Sequence, residues 1–409
     1  METRRYKIYG KINFGDARVS KRLEKTLETM QRKPSSSICT ASADRYEAKA
    51  IYRMIKNPKL QTEPMIRGAR EETIEKIKES GEKIVLMPQD TSELDYGGLK
   101  GCEGLGTHRG IHSLGVICHT SIAVSPKGQI YGLMNQEIWT RPVEEHGKAG
   151  ERKKKEIEEK ESSKWIETMD KSIDGMPEDI KTVTVCDREG DIYELFRKAQ
   201  WENRAYLVRI VQNRLTTEDA KLIDYAKNLE SGGVCVVQIP RDTRNSRKSR
   251  EAKLSIKYSQ ITIKAPRNSG YGSDDTITAW VIAAQEIDAP EYIDEPIAWY
   301  LLTNIPVNSV DDAYEKVQWY VQRWKIERFH FVWKEVCKVE KIQERDVHKL
   351  KKVIVMNSIV AMSILCLMYL SRVFPDTPCD VVFEDDEWRF LYAVVNDTTD
   401  FPPSTSHFT

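Results

Sequence analysis

The sequence predicts an α/β protein with a small helical domain ahead of a mixed core domain, and an all-β domain inserted into that core. Three patterns support this fold class: helical spacing of apolar residues near the N-terminus, two β-branched runs that each reach an aspartate, and strand-like alternation through 211–296. A chain of 409 residues can fill two or three such domains. We expect the boundaries 1–63, 64–372 and 373–409.

The segment 1–63 is predicted to be helical and basic. Leu23, Leu27 and Met30 follow helical spacing, and a second helix is expected to stop at Asn57, before a proline. The first 33 residues carry ten basic and four acidic side chains, although the whole chain balances 63 Lys and Arg against 63 Asp and Glu. A local basic surplus is equally typical of a DNA-binding module and of a solvated helical hairpin.

Two predicted strands each deliver an aspartate. After a helix near 64–80, an apolar strand within 83–92 ends at Asp90, and a β-branched strand ends at Asp187 just before an amphipathic helix. Between them, residues 113–139 are predicted to form a strand pair. Open α/β sheets present ligand-binding side chains at the carboxyl ends of their strands, so we expect both aspartates at such ends.

The remaining elements follow from composition and period. A highly charged helix is expected at about 150–170, and the all-β stretch 211–296 is interpreted as an insertion. Its predicted tip, 241–257, has seven basic and two acidic residues. A long helix is expected to begin near 309–312, and the tail 375–401 has eight acidic residues against one arginine.

The segment 353–370 contains 18 residues without a charge, which is the lower limit for a membrane span. It contains Asn357, Ser358 and Ser363, has basic residues on both flanks, and has no second span beside it. A helix buried on all sides has the same composition. We favour the buried helix and expect no membrane partner.

The cysteines and histidines allow a competing interpretation. Eight cysteines without a CxxC pair, and an N-terminus without an apolar run, are typical of a reduced, cytoplasmic chain. A zinc site would draw on one group of side chains: Cys102, His108, His112, Cys118 and His119. Their spacing fits none of the common zinc patterns, which favours packed residues.

One predicted helix, over 320–336, carries a polar column. At roughly 100° per residue, Tyr320, Arg323, Glu327 and Lys334 share a face about 60° wide, and the apolar residues lie opposite. An ordinary amphipathic helix with charge pairing gives the same pattern. The two strand aspartates favour a functional interpretation of this polar column over an ordinary amphipathic helix.

Three carboxylates from separate positions suit a hard cation. Asp90, Asp187 and Glu327 would offer oxygen ligands to Mg²⁺ or Mn²⁺. Two such ions, about 3.5–4 Å apart, promote in-line displacement at a phosphodiester. Arg323 and Lys334 would then serve as phosphate donors.

These motifs resemble those of the DDE transposases of the insertion-sequence-four family, in particular the Tn-five type. The resemblance spans roughly residues 10–372, and its motifs are NFGDAR at 13–18, YRMIKNP at 52–58, QDTS around Asp90, VCDREGDI around Asp187, and Y-x2-R-x3-E-x6-K at Tyr320, Arg323, Glu327 and Lys334. It implies a ribonuclease H-like catalytic domain in which Asp90, Asp187 and Glu327 hold two Mg²⁺ ions, with Mn²⁺ as a substitute. It also implies that 211–296 is the family's β insertion.

The activity implied by the resemblance is cut-and-paste transposition of an insertion sequence. The steps are endonuclease nicking at the terminal inverted repeats, a hairpin intermediate, hairpin opening, and transfer of the 3′-OH strands to target DNA. A homodimer would hold two double-stranded DNA ends in a synaptic complex in the bacterial nucleoid. The family's C-terminal dimerisation region is longer than 373–409, which puts synapsis through this segment in question.

The resemblance also assigns DNA contacts, in the signature and outside it: Tyr320, Arg323, Lys334, Trp299, Arg209, Arg188, Arg32, Lys33 and Ser37. Trp299 is similar to the tryptophan that stacks on a flipped base, and a core strand tryptophan is the alternative. Arg188 and Arg209 would contact phosphate near the hairpin, and Arg32, Lys33 and Ser37 would contact the end sequence. Two other functions stay open: a truncated, cleavage-deficient relative that binds ends as a repressor, and a metal-dependent nuclease without strand transfer.

Overall fold

The computed structural model describes residues 11–99, 101–108, 113–142, 160–239, 249–267, 270–272, 274–373, 378–379, 383 and 385–401. In this part of the chain the helices are α1 Ala17–Arg32, α2 Ile38–Ala41, α3 Arg45–Lys56, α4 Thr62–Ser80, α5 Ser163–Ser172, α6 Tyr193–Trp201, α7 Leu222–Asn228, α8 Val310–Val321, α9 Trp324–Phe331, α10 Val347–Val373 and α11 Asp385–Asn396. The strands are β1 Ile84–Asp95, β2 Gly106–Thr107, β3 Leu114–Val124, β4 Ile130–Trp139, β5 Lys181–Cys186, β6 Ala205–Arg209, β7 Gly233–Ile239, β8 Arg250–Lys264, β9 Thr276–Ile287 and β10 Ala298–Thr303. The mixed α/β character predicted from the sequence is confirmed.

The chain folds as two compact units, and their segments are interleaved along the sequence. The first unit comprises Met1–Glu82, Thr91–Gly147 and Lys325–Thr409. The second comprises Lys83–Asp90 and Lys148–Trp324. Strand β1 changes unit at Asp90, and the signature segment changes unit after Trp324.

The core of the first unit is built around α10. This helix is long and apolar enough to cross a membrane, but 78% of its most apolar window is buried. Its polar side chains bond to nearby carbonyls: Ser358 to Ile354 at 2.9 Å and Asn357 to Cys337 at 3.2 Å. The segment 353–370 is therefore a buried helix, as predicted.

The N-terminal helices α1 and α3 pack on α10 and share its core. Asp16 caps α1, and Asp44 caps α3 by accepting the N–H groups of Tyr46 and Glu47 at 2.8 Å. Helix α3 ends with Asn57 as its C-cap, where the sequence predicted the stop. Apolar spacing and the proline after Asn57 were thus sufficient to predict the two helices and the end of α3.

The β3–β4 hairpin of the first unit is also confirmed. The two strands pair in antiparallel fashion, and the Ser125 N–H donates to the Gln129 carbonyl at 2.8 Å. Gly128 has a φ of 94° in the connecting turn, a backbone conformation that other residues rarely adopt. Strand β2 lies antiparallel on the other edge of β3.

The second unit contains a mixed sheet. The first half of β1 and β6 flank β5 in parallel, and β10, β9, β8 and β7 then continue the sheet in antiparallel order. The prediction that 211–296 is all-β was wrong, because α7 lies within it and buries Leu222 and Ala226 against the sheet. Residues 241–248 of the predicted basic tip and 150–159 of the predicted charged helix lie outside the described residues.

Candidate active site

Asp90 and Asp187 lie on neighbouring parallel strands of the second unit. Strands β1 and β5 pair in register up to Pro88 and Val185. The same offset, continued by two residues, would set Asp90 beside Asp187, and both carboxylates act on the Cys186 thiol. Paired strands are about 4.8 Å apart, so the register brings the two carboxyl groups to one place at the sheet. Both residues are half-buried.

The two aspartates reach this position in different ways. Asp187 directly follows Cys186, the last residue of β5, and accepts the Glu189 N–H at 2.9 Å at the start of a 3₁₀ turn. Asp90 is not at a strand end, which corrects the prediction, because β1 continues to Asp95. The sequence does not reveal this continuation because it depends on pairing with β3, a partner distant in sequence.

A guanidinium faces the aspartate pair. Arg323 Nη1 lies 4.0 Å from Asp90 Oδ2, and the side chains of Arg323 and Asp90 are only 14% and 20% exposed. Cys186 lies buried beside them. Burial, foremost, and the charges of Asp187 and Asp90 raise the pKa of its thiol well above the usual value, whereas Arg323 opposes this shift. The thiol is therefore neutral, and the carboxylates create a negative field that a bound cation would relieve.

Tyr320 belongs to an aromatic cluster rather than to an exposed polar face. It is 5% exposed, and its ring meets the edge of Trp299 with 5.4 Å between centroids. Its hydroxyl interacts with Arg209, which also donates to the Ala298 carbonyl at 3.4 Å. Burial raises the pKa of Tyr320, and the positive charges of Arg323 and Arg209 oppose that shift. Trp299, Tyr320 and Arg209 thus lie together in the second unit.

The signature segment is not one regular helix, so the uniform projection of its polar face was wrong. Helix α8 ends at Val321, and the N–H groups of Gln322 and Arg323 bond carbonyls three residues earlier. Helix α9 follows, and a π-helical turn then occupies Val332–Val336. Each change of helix type rotates later side chains away from a 100° repeat.

Glu327 and Lys334 are in the first unit. Glu327 is half-buried on α9, four residues after Arg323. Lys334 lies in the π-helical turn, donates to the Glu93 carbonyl at 2.6 Å, and is 3.6 Å from Glu340 Oε1. The structure therefore groups two of the three predicted metal ligands in one unit and places the third, with Lys334, in the other.

The metal-binding capacity of the site follows from its donors. Asp90 and Asp187 supply the carboxylate oxygens that Mg²⁺ prefers, so these two residues fit the expected ion. Across the described ranges, no set of three or more His, Cys, Asp or Glu side chains is arranged to hold a metal ion. The Mg²⁺ site and its third ligand, Glu327, stay predictions.

The remaining predicted DNA contacts are divided between the two units. Arg188 is exposed at the start of the 3₁₀ turn that follows Asp187. In the first unit, Arg32 is the exposed last residue of α1, and Lys33 donates to the Thr40 carbonyl at 3.4 Å. Ser37 caps α2 by accepting the Thr40 N–H at 3.2 Å, a role the sequence analysis missed.

The alternative zinc group is dispersed among other contacts. Cys118 and His119 are consecutive strand residues, so their side chains point to opposite faces. Buried His119 shares a 2.9 Å hydrogen bond with Thr91, and Cys118 has its thiol pKa raised by burial. His108 lies 3.6 Å from a Glu93 carboxylate oxygen, and His112 is outside the described residues.

Asp191, four residues after Asp187, has a structural role that the sequence did not indicate. Its carboxylate accepts the N–H groups of Val211 and Gln212 at 2.7 and 2.6 Å. It also pairs with Arg214, and the two side chains are 1% and 8% exposed. Asp191 therefore fixes the chain that follows β6. Nothing in local sequence separates it from Asp187, because its partners come from more than 19 residues away.

A family comparison identifies the class of the N-terminal region. Residues 6–60 match the family model described as "Transposase DNA-binding". This region contains α1, α2 and α3. The chain thus carries a domain of the DNA-binding class found in transposases.

A particular transposase structure is also similar to this chain. It is a cryo-EM structure of the piggyBac transposase synaptic complex with hairpin DNA. The match has 10% sequence identity and a TM-score of 0.35, and covers 95% of this chain and 77% of that chain. The likeness is too distant to define the fold of this protein.

Proposed function

We propose that the protein is a cut-and-paste DNA transposase. The observation that carries the proposal is the transposase DNA-binding match at 6–60, on a chain whose paired strands β1 and β5 lead to Asp90 and Asp187. In the proposal, the first region binds transposon terminal repeats and the aspartates belong to a DDE centre on a ribonuclease H-like core. The insertion-sequence-four family is the proposed relationship.

The exposed face of α3 supports DNA binding. Arg45, Lys49, Arg53 and Lys56 fall within roughly 80° of one another on a helical projection, and all four are exposed. Tyr46, at the edge of this face, is 82% exposed. A cationic helix face with a free aromatic ring suits phosphate contacts and base contacts in a groove.

Helix α1 adds a second cationic face. Arg18, Lys21, Lys25 and Arg32 are exposed and fall within roughly 60° on the helical projection. The carboxylate of Glu47 does not compete, since it accepts the Ala43 N–H at 2.6 Å and bonds to Thr29. The region at 6–60 thus presents two positive stripes to a polyanion.

The proposed chemistry assigns a role to each signature side chain. Asp90, Asp187 and Glu327 would hold two Mg²⁺ ions, or Mn²⁺ in their place, and these ions would activate the attacking oxygen and stabilise the leaving one. Arg323 lies within 4.0 Å of Asp90 and is positioned to bind a phosphate near that carboxylate. Lys334 would bind a second phosphate.

The aromatic cluster fits the hairpin intermediate. Trp299 is half-buried, so part of its ring is available to stack on a base. Tyr320 supports the ring from its edge, and Arg209 beside it would bind a flanking phosphate, as would Arg188. Trp299 would hold the base that must leave the stack when the 3′-OH attacks the opposite strand.

The proposal extends to assembly and location. Two subunits would hold two ends in a synaptic complex, with each 3′-OH later joined to target DNA. Such an enzyme would act in the cytoplasm, on the bacterial nucleoid. Arg32, Lys33 and Ser37 would contribute to recognition of the ends.

The test uses the full-length protein. Duplexes with random ends are first selected by binding, and the selected duplexes are then incubated with the protein and Mg²⁺ and resolved on denaturing gels. We expect nicks, then hairpins, then joined products with added plasmid. Asp90→Asn should bind the same ends without any of these products. Binding without cleavage by the wild-type protein would favour a repressor, and cleavage without joining would favour a nuclease.

A further inference from the structure

Three cations lie close to two aromatic rings in the first unit, on helices α9 and α10. Lys325 Nζ lies 3.9 Å from the ring centre of Tyr369, and Arg372 Cζ lies 5.6 Å from the same ring. Arg328, one turn beyond Lys325 on α9, has its Cζ 4.8 Å from the ring of Phe331. Tyr369 is buried, whereas Phe331 is 41% exposed. We call these five residues the cation cluster.

The cation cluster has no described acidic partner to balance its charges. Within the part of the chain that the structure describes, no aspartate or glutamate forms an ion pair with its three cations. Lys325 experiences the positive charges of both Arg372 and Arg328. By contrast, Lys198 in the second unit has two acidic partners, since it lies 3.0 Å from both Asp170 and Glu202.

Helix dipoles do not account for this arrangement. Arg372 is in the last turn of α10, where a positive charge is favourable. Lys325 is in the first turn of α9, where the dipole opposes a positive charge. Cation–π contacts with the rings offset only part of the repulsion between three cations. Among the described residues, no carboxylate supplies the compensating negative charge.

We propose that Lys325, Arg328 and Arg372 bind a backbone phosphate of DNA. The inference rests on the proposed function for its ligand, since DNA is the polyanion a transposase handles. Two guanidinium groups and an ammonium provide charge-assisted donors for phosphate oxygens. The exposed ring of Phe331 beside Arg328 suits a sugar or base next to that phosphate, which favours a nucleic acid over a free ion.

The test compares two triple variants with the same change in charge. The cluster variant is Lys325→Gln/Arg328→Gln/Arg372→Gln. The control is Arg67→Gln/Lys78→Gln/Lys338→Gln, which removes three exposed cations already paired with Glu63, Glu75 and Glu335. Binding of full-length protein to a fluorescent duplex of arbitrary sequence is measured by anisotropy over a range of salt.

Loss of one phosphate contact should make the slope of log Kobs against log[salt] shallower by about 0.9 and weaken binding several-fold in the cluster variant, relative to the control. The unfolding midpoint of the cluster variant should rise, because mutual repulsion is removed. Should the triple variant fold poorly, Arg372→Gln alone, at an exposed residue, is expected to show the same trend in slope. Equal slopes and equal affinities in the cluster and control variants would overturn the proposal.

A second measurement distinguishes DNA from a free anion as the ligand of the cation cluster. It also distinguishes failure of this inference from failure of the proposed function. Inorganic pyrophosphate is added in thermal unfolding. If it stabilises wild type more than the cluster variant while both triple variants bind the duplex equally, the cluster takes a free anion and the DNA assignment is wrong. If the wild type itself does not bind the duplex, the proposed function fails, and the DNA assignment with it.

Discussion

The DREGD segment of the second unit holds two aspartates that are four residues apart and serve opposite purposes. Asp187 is half-buried, accepts the Glu189 N–H, and directly follows β5, the strand that pairs with the Asp90 strand β1. Asp191 is buried, pairs with Arg214, and accepts two backbone N–H groups. A carboxylate whose acceptor sites are already occupied holds the fold together, whereas one with remaining acceptor capacity can take a ligand.

The largest difference between the effect on cleavage and the effect on stability is expected at Asp90 and Asp187. Asp90→Asn or Asp187→Asn should reduce cleavage on the order of ten-thousandfold, or about 5 kcal/mol of transition-state stabilisation, because each removes a proposed metal ligand. The unfolding midpoint should stay within a few degrees of wild type. Single-turnover cleavage and calorimetry measure the two quantities. Cleavage at the wild-type rate by either variant would refute the proposed centre.

The opposite result is expected at Asp191. Asp191→Ala leaves Arg214 buried without its partner and should cost about 3–5 kcal/mol of unfolding free energy. The matched control is Glu63→Ala, which breaks the exposed pair with Arg67 and should cost under about 1 kcal/mol. Denaturant unfolding gives both values. A loss at Asp191 no larger than at Glu63 would remove the contrast between the two aspartates.

Trp299 tests whether an aromatic residue binds a ligand or holds the fold together. Trp299→Ala should slow hairpin formation roughly 5- to 150-fold, as loss of about 1–3 kcal/mol of base stacking implies, and should leave nicking nearly unchanged. Trp280→Ala, at another half-buried strand tryptophan, is the control and should affect neither step selectively. Separate quantification of nicked and hairpin products decides the issue. Equal slowing of both steps by Trp299→Ala would make Trp299 a packing residue.

Ser37 has both a structural and a proposed functional role, because it caps α2 and is also a proposed DNA contact. The effects expected from its substitution are the smallest. Ser37→Ala should cost about 1 kcal/mol of stability, and Ser37→Asp should restore it, since aspartate also caps helices. If Ser37 contacts phosphate, Ser37→Asp should weaken end binding even though stability returns. Binding that follows stability in both variants would leave the cap as its whole role.

The sequence predicted elements whose signals are local. The end of α3 at Asn57, the start of α8 after Ser309, the β3–β4 turn, and the strand that ends before Asp187 all depend on neighbouring residues, and all are present. It did not predict features set by distant partners. Strand β1 passes Asp90 because it has a second partner strand, and Tyr320 is buried because Trp299 lies beside it. The relative position of Asp90 and Asp187 also depends on strand pairing, so the sequence alone did not predict it.

Because α1 and α3 pack on α10, their folding during synthesis depends on a helix that is made much later. Lys352 on this helix donates to the carbonyls of Ile55 and Asn57, across 297 and 295 residues of sequence. At roughly 5–20 residues per second, a ribosome needs about 15–60 s to make that intervening chain. Until then, the apolar sides of α1 and α3 lack the helix on which they pack. Protection of their amides during synthesis would therefore mark the moment at which translation has passed α10.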